Sequence, residues 1–232
     1  MRQVSGEDCE IEGASRTDSG ASARGQVCHF DVSEGMPVDK WQVVLNQALP
    51  NDIAIVSSCK VSPEFNSRFW AEKRWYRYRI LTGKVDPERA RYTYHYDAKP
   101  LDDGLMRDAA SHLIGKHDFL AFSQLVPPGK STVRELFSVE VKRVRDELRI
   151  DVIGTAFVRG MMRRISGALW EVGRGARQPD SIPELLEQRD RRKIRWPTVL
   201  PANGLTLMKV FYGRHPHDRR RERNSLVGKN DE

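Results

Sequence analysis

Residues 74–81 read Arg-Trp-Tyr-Arg-Tyr-Arg-Ile-Leu. Basic and apolar side chains alternate along this run, and a period of two marks a strand with two unlike faces. Such a strand needs neighbours, and the sequence offers several. Val133–Arg143 and Glu147–Ala156 read as an antiparallel pair joined at Val144–Asp146. Gln26–Val32, Ile53–Val61 and Leu205–Tyr212 read as further strands, the second rich in β-branched residues. Between them lie helical patterns. Asp39–Leu49 places Trp41, Val44, Leu45 and Ala48 on one face, and Asp102–Ile114 places Leu105, Ala109 and Leu113. Phe157–Val172 carries Phe157, Met161, Ile165, Leu169 and Val172 at helical spacing, with Gly173 as its cap. Ser181–Gln188 is a short helix with Ser181 as N-cap. Strands and helices mix without regular β-α-β-α alternation. The fold class expected is therefore α+β with largely antiparallel sheets.

The 232 residues carry a formal net charge of +7 and a pI near 9.4. Part of the excess lies in the tail Arg214–Glu232, yet the rest of the chain is basic on its own. Such a surface attracts polyanions, nucleic acid first. No apolar run reaches the length of a membrane span, and the polar, acidic start has no signal-peptide core. Cys9, Cys28 and Cys59 are odd in number and form no C-x-x-C pair, which disfavours a zinc site or a disulfide framework and fits a reducing cytoplasm. Cys28, within Val27-Cys28-His29-Phe30, is expected to be buried and inert.

The segment with most chemical content is Ser15-Arg16-Thr17-Asp18-Ser19-Gly20-Ala21-Ser22-Ala23, leading into Gly25-Gln26-Val27-Cys28-His29-Phe30. A carboxylate before a turn of small residues can stand at the mouth of a sheet, open to a ligand. Read by itself, Asp18 could equally make an Asx-turn before Gly20. The segment resembles the catalytic motif of the tRNA pseudouridine synthase A (TruA) family, Gly-Arg-Thr-Asp-Ala-Gly-Val-His-Ala followed by Gly-Gln-Val and a His-Phe strand. Further matches follow in the family's order. They include Leu45 to Ala54, Phe65-Asn66-Ser67-Arg68-Phe69, Tyr76-Arg77-Tyr78-Arg79-Ile80 and Leu113 to Phe119. Then come Ala156-Phe157 with Met161-Met162-Arg163, Val172-Gly173 and Gly204-Leu205. The resemblance runs from about Glu12 to Tyr212.

The resemblance implies two ferredoxin-like α/β halves, residues 1–98 and 99–213, whose antiparallel sheets join around a basic cleft. A disordered basic tail would follow at 214–232. It implies a homodimer that isomerises uridine to pseudouridine in the tRNA anticodon stem-loop, at positions 38 to 40, without cofactor or metal. The C1′–N1 bond breaks, the uracil turns, and C5 bonds to C1′. Asp18 would be the catalytic carboxylate, attacking the sugar or taking a proton from it; both routes stand. Arg163 matches the arginine that pairs with it, Tyr76 would stack on the flipped uracil, and Arg16 would contact RNA or support the Asp18 loop. Arg68, Arg77, Arg74 and Arg79 are candidates for phosphate contacts. Arg159, four residues before Arg163, shares its helix side.

The sequence also departs from the family pattern. Ser15 replaces the leading Gly, Ala21-Ser22 replaces Val-His, Arg159-Gly160 stands where His-His is frequent, and Thr206 stands where Tyr is frequent. The family opens with a Tyr-Asp-Gly strand, a Gly-Trp-Gln segment and a helix, whereas Met1 falls seventeen residues before Asp18. The first half is therefore expected to be incomplete, and the isolated chain weakly active or inactive. Two other readings compete. A non-catalytic RNA-binding protein could use Trp75, Tyr76 and Tyr78 for stacking, but no RNP1-like run is present. A Ser-His-Asp hydrolase lacks a G-x-S-x-G motif, and His117-Asp118 reads as a loop after a helix.

Overall fold

The computed structural model describes residues 2–33, 36–188, 190 and 192–213. The tail expected to be disordered, 214–232, lies outside the described residues. Two compact units emerge. One draws its described residues from 2–15, 27–71 and 212–213, and the other comprises Arg16–Gln26 and Glu72–Phe211.

The first unit holds helix α1 (Arg2–Ser5), strands β1 (Glu12–Gly13) and β3 (Cys28–His29), and helix α2 (Val38–Ala48). β1 and β3 form a two-stranded antiparallel pair. Phe65 is its aromatic centre, packing on His29, Trp70 and Tyr212. The expected strand Gln26–Val32 is thus reduced to two paired residues, and Ile53–Val61 has no ladder among the described residues. β-branched composition extends a backbone, but a strand also needs a neighbour to take its amides. At Ile55 the Asn46 side chain substitutes for that neighbour: its amide donates to the Ile55 carbonyl at 3.0 Å and its oxygen accepts from the Ile55 N–H at 2.7 Å. Cys28, expected to be buried, is exposed.

The second unit is a seven-stranded mixed sheet with helices on one face. Its strands are β2 (Ser22–Ala23), β4 (Lys73–Leu81), β5 (Tyr94–His95), β6 (Gly115–Asp118), β7 (Val133–Val144), β8 (Glu147–Gly154) and β9 (Leu205–Phe211). The order is β2-β9-β4-β8-β7-β6, with β5 beside β4. β2 with β9 and β4 with β5 are parallel; the other pairs are antiparallel. The fold is α+β, as its patterning predicts. β4 alternates as read: Tyr76, Tyr78 and Ile80 are buried, while Trp75, Arg77 and Arg79 are half-buried on the opposite face. Leu148, Ile150 and Val152 of β8 continue the buried face. Helices α3 (Asp103–Ser111) and α4 (Met161–Gly173) complete this core through Met106, Ala109, Ile165, Leu169 and Val172. Asp102 caps α3 by accepting from Leu105 N at 3.0 Å. Helix α5 (Ser181–Glu187) follows α4.

Several boundaries differ from the sequence reading for local reasons. α4 begins at Met161, not Phe157, because Gly160 is left-handed at φ 74. Phe157 instead packs against Tyr76 in a T-shaped contact, with ring centroids 4.8 Å apart. Gly173 ends α4 without capping it: a Cβ there would meet Met106 Sδ at 2.6 Å, so this glycine serves packing. Ser181 is the first residue of α5 and donates to the Gln178 carbonyl, so no side chain caps that helix. His117-Asp118 lies in β6, where His117 pairs with Arg134.

One charge cluster anchors the end of the antiparallel β4–β8 pair, where Leu81 faces Glu147. Glu147 is 2 % exposed. Arg79 binds it in fork fashion at 2.7 and 2.9 Å, Arg149 at 2.6 Å and Arg89 at 3.0 Å. Burial pushes its pKa up, but Arg79 and Arg149 outweigh burial and hold it at about 2, from an ordinary 4.5. A depressed carboxylate pKa stabilises the fold fully above the unfolded value and loses that contribution as pH falls toward the folded one. Melting temperature should therefore fall between pH 4.5 and about 2. Glu147→Gln should lower stability near neutrality and flatten that acid limb. A limb of unchanged steepness in the variant would show that other carboxylates set it.

Candidate active site

Asp18 sits on a short loop of the second unit, and the loop is tied to the sheet immediately afterwards. The Asp18 carbonyl accepts from Ala21 N at 2.9 Å, closing a turn. Ser22 and Ala23 then pair in parallel with Thr206 and Leu207 of β9. Arg24 N donates to Leu207 O at 2.8 Å. The carboxylate is thereby fixed at a sheet edge, not on a free loop.

Arg163 reaches it from the first turn of α4. Its Nη1 donates to Asp18 Oδ2 at 2.9 Å, joining residues 145 positions apart in sequence. Its Nε donates to the Leu200 carbonyl at 2.6 Å. A guanidinium gripped at two edges has little rotational freedom, so it holds the carboxylate in one orientation. Both side chains keep partial contact with solvent, at 20 % and 26 % exposure. Asp18 Oδ1 has no hydrogen-bond donor among the described residues. An ionised carboxylate with one oxygen anchored and one open can act as a nucleophile or as a base.

The remaining candidates are distributed unevenly. Arg16, two residues before Asp18, is exposed, and so is Arg159, which lies outside α4, before the left-handed Gly160, and so does not share a helix side with Arg163 as its spacing suggests. Tyr76 shares the covered face of the sheet but is 4 % exposed, under Phe157. Arg77 lies on the opposite face of β4, where Nε and Nη2 bind Asp151 at 2.9 and 3.1 Å. Trp75 Nε1 donates to the same carboxylate at 2.6 Å. Arg79 is engaged by Glu147, and Arg74 is buried with Nη1 on the Thr155 carbonyl. Arg68 belongs to the other unit, exposed, its guanidinium 5.6 Å from the Phe69 ring centroid.

Sequence reasoning gave Tyr78 only a stacking role in the non-catalytic reading, which its full burial does not fit, and missed the segment 196–201. The Tyr78 hydroxyl donates to the Pro201 carbonyl at 2.7 Å. Burial drives its pKa far up, with Tyr94 adding to the rise and Arg163 opposing it, so the phenol stays protonated. The carbonyls of residues 200 and 201 act through backbone, which leaves no residue signature to read. A second grouping, Ser67, His29 and Glu12, offers no nucleophile. Ser67 is fully buried, and its hydroxyl donates to the Glu12 carbonyl at 2.9 Å. Among the described residues no three His, Cys, Asp or Glu side chains are grouped as a metal site requires.

The family model for tRNA pseudouridine synthase matches residues 109–213. A tRNA pseudouridine synthase A of Brevibacillus brevis is 39% identical over 213 residues, covering 91% of this chain and 86% of the relative. The chain belongs to the tRNA pseudouridine synthase A family. Family members of the same name from Acetivibrio thermocellus and Clostridium kluyveri are 38% and 35% identical, each over 91% of this chain and 86% of their own length. No described helix is long and apolar enough to cross a membrane.

Proposed function

We propose that this tRNA pseudouridine synthase isomerises uridines at positions 38 to 40 of the anticodon stem-loop, with Asp18 as the catalytic carboxylate. The observation that carries the reading is the Asp18–Arg163 ion pair, with one carboxylate oxygen anchored and the other open. A stem uridine must leave its stack before C1′ can meet that oxygen. Asp18 then either forms a bond to the sugar or removes a proton from it while the C1′–N1 bond breaks. The freed uracil anion turns, and C5 bonds to C1′ as the carboxylate–sugar bond breaks or the proton returns to the sugar; C5 then gives up its proton and N1 takes one up. Arg163 keeps the carboxylate aimed. Tyr76 supplies a face for the uracil once the Phe157 ring moves aside, since Phe157 now covers it. Exposed Arg16 and Arg159 take phosphates, which positions the stem-loop without reading sequence. Arg77 contributes only on leaving Asp151. The family resemblance supports work as a homodimer in the cytoplasm, on tRNA alone, without cofactor.

Positions are tested with unmodified tRNA transcripts carrying uridine at 38, 39 and 40, and with a matched transcript carrying cytidine at all three. Pseudouridine is expected in the first and absent from the second. Equal pseudouridine in both would place the target elsewhere in the tRNA.

A further inference from the structure

Arg163 is held by a backbone carbonyl, so whatever fixes that carbonyl also fixes the arginine. The carbonyl belongs to Leu200, in the segment 196–201 that crosses α4. Pro197 O accepts from Arg164 Nη1 at 2.6 Å, Leu200 O from Arg163 Nε at 2.6 Å, and Pro201 O from Tyr78 at 2.7 Å. Leu200 N donates back to the Arg163 carbonyl at 3.3 Å. Between these points stands Thr198. Its hydroxyl donates to Glu171 Oε1 at 2.6 Å, and its N–H donates to the same oxygen at 3.2 Å.

Glu171 is an unusual anchor. It is fully buried in the apolar stretch Ala168-Leu169-Trp170-Glu171-Val172-Gly173 of α4. Its other oxygen accepts from Arg177 Nε at 2.8 Å, and Arg195 lies 3.4 Å from Oε1. A buried carboxylate survives only when its charge is paired and its lone pairs are used. Burial raises its pKa, but Thr198 and Arg177 more than reverse this and hold it below the usual carboxylate range. α4 also leaves room for the segment. At Gly167 a Cβ would stand 1.9 Å from the Thr198 carbonyl oxygen, so only glycine admits this approach.

We infer that Glu171 and Thr198 are positioning residues for the reaction: the Glu171–Thr198 clamp holds Leu200 O where it grips Arg163 Nε, and thereby aims Arg163 at Asp18. The inference rests on the proposed role of Asp18, and its test separates the two. Thr198 is exposed, so Thr198→Val removes the hydroxyl's hydrogen bond without opening a cavity. Thr198→Ser keeps that bond. The variants are compared in three measurements: melting temperature, kcat and KM on tRNA well below melting, and the Arg163 Nε–H signal in a nitrogen–proton correlation spectrum, assigned by its loss in Arg163→Lys. Thr198→Ala is a second route to the same break.

In Thr198→Val the Arg163 signal should shift or broaden, and kcat should fall about tenfold with KM within about twofold, the pattern of lost transition-state stabilisation. Thr198→Ser should restore both. If Thr198→Val does not fold, Thr198→Ala is expected to give the same spectral and kinetic changes. An unmoved Arg163 signal overturns the proposal whatever happens to the rate. A shifted signal with unchanged kcat also overturns it. Failure of the Asp18 reading itself would look different, as full turnover in Asp18→Asn alongside a shifted Arg163 signal in Thr198→Val.

Discussion

Gly167→Ala should destabilise the protein although alanine is the better helix former. In an exposed helix the exchange stabilises by about 1 kcal/mol. Here the added carbon would stand 1.9 Å from Thr198 O and 2.9 Å from Thr198 C, both backbone atoms. Backbone cannot swing aside as a flexible side chain can, so α4 or the segment 196–201 must move. Overpacking of this kind costs about 1–3 kcal/mol and more when backbone shifts. The clash outweighs propensity, and a net loss of about 2 kcal/mol or more is expected in urea denaturation. Turnover should fall as well, because a displaced segment carries Leu200 O away from Arg163. Equal or greater stability in the alanine variant would mean that the segment does not lie on α4 as described.

Much of the fold was legible because its strongest elements are periodic. β4 showed its two faces in the alternation from Arg74 to Leu81, and β7, β8, β9 and α2 came within a few residues of their bounds. What failed was pairing, which depends on a neighbour and not on the strand itself. Ile53–Val61 had strand composition, yet Asn46 takes Ile55's hydrogen bonds in place of a ladder. The start of α4 failed because the apolar spacing of Phe157 continues into the helix while Gly160 turns left-handed between them.

The candidate site was legible to a different degree at each residue. Nothing in local pattern links Asp18 to Arg163 across 145 positions; only the family motifs placed them together. Tyr76 and Arg77 are adjacent, and period two sends them to opposite faces of β4. Treating both as RNA contacts overlooked that alternation and the Asp151 carboxylate that occupies Arg77. Glu171 did leave a signal, a lone acid among apolar residues of an amphipathic helix, which marks a buried charge in need of partners. Its partner Thr198 and the Leu200 carbonyl left none, since a backbone acceptor has no sequence signature.

The account stands most directly on Asp18. Asparagine has the same shape and keeps an oxygen for Arg163, but it can neither attack the sugar nor take a proton from it. Removing a group of this kind costs about 10²–10⁴-fold in rate. The decisive measurement is pseudouridine formed in an unmodified tRNA transcript under single-turnover conditions, by the wild-type chain and by Asp18→Asn, with tRNA affinity measured in parallel. Wild type should convert the transcript. Asp18→Asn should bind it within a few-fold of wild type and give no product over the same time. Turnover by Asp18→Asn within about tenfold of wild type would contradict the account.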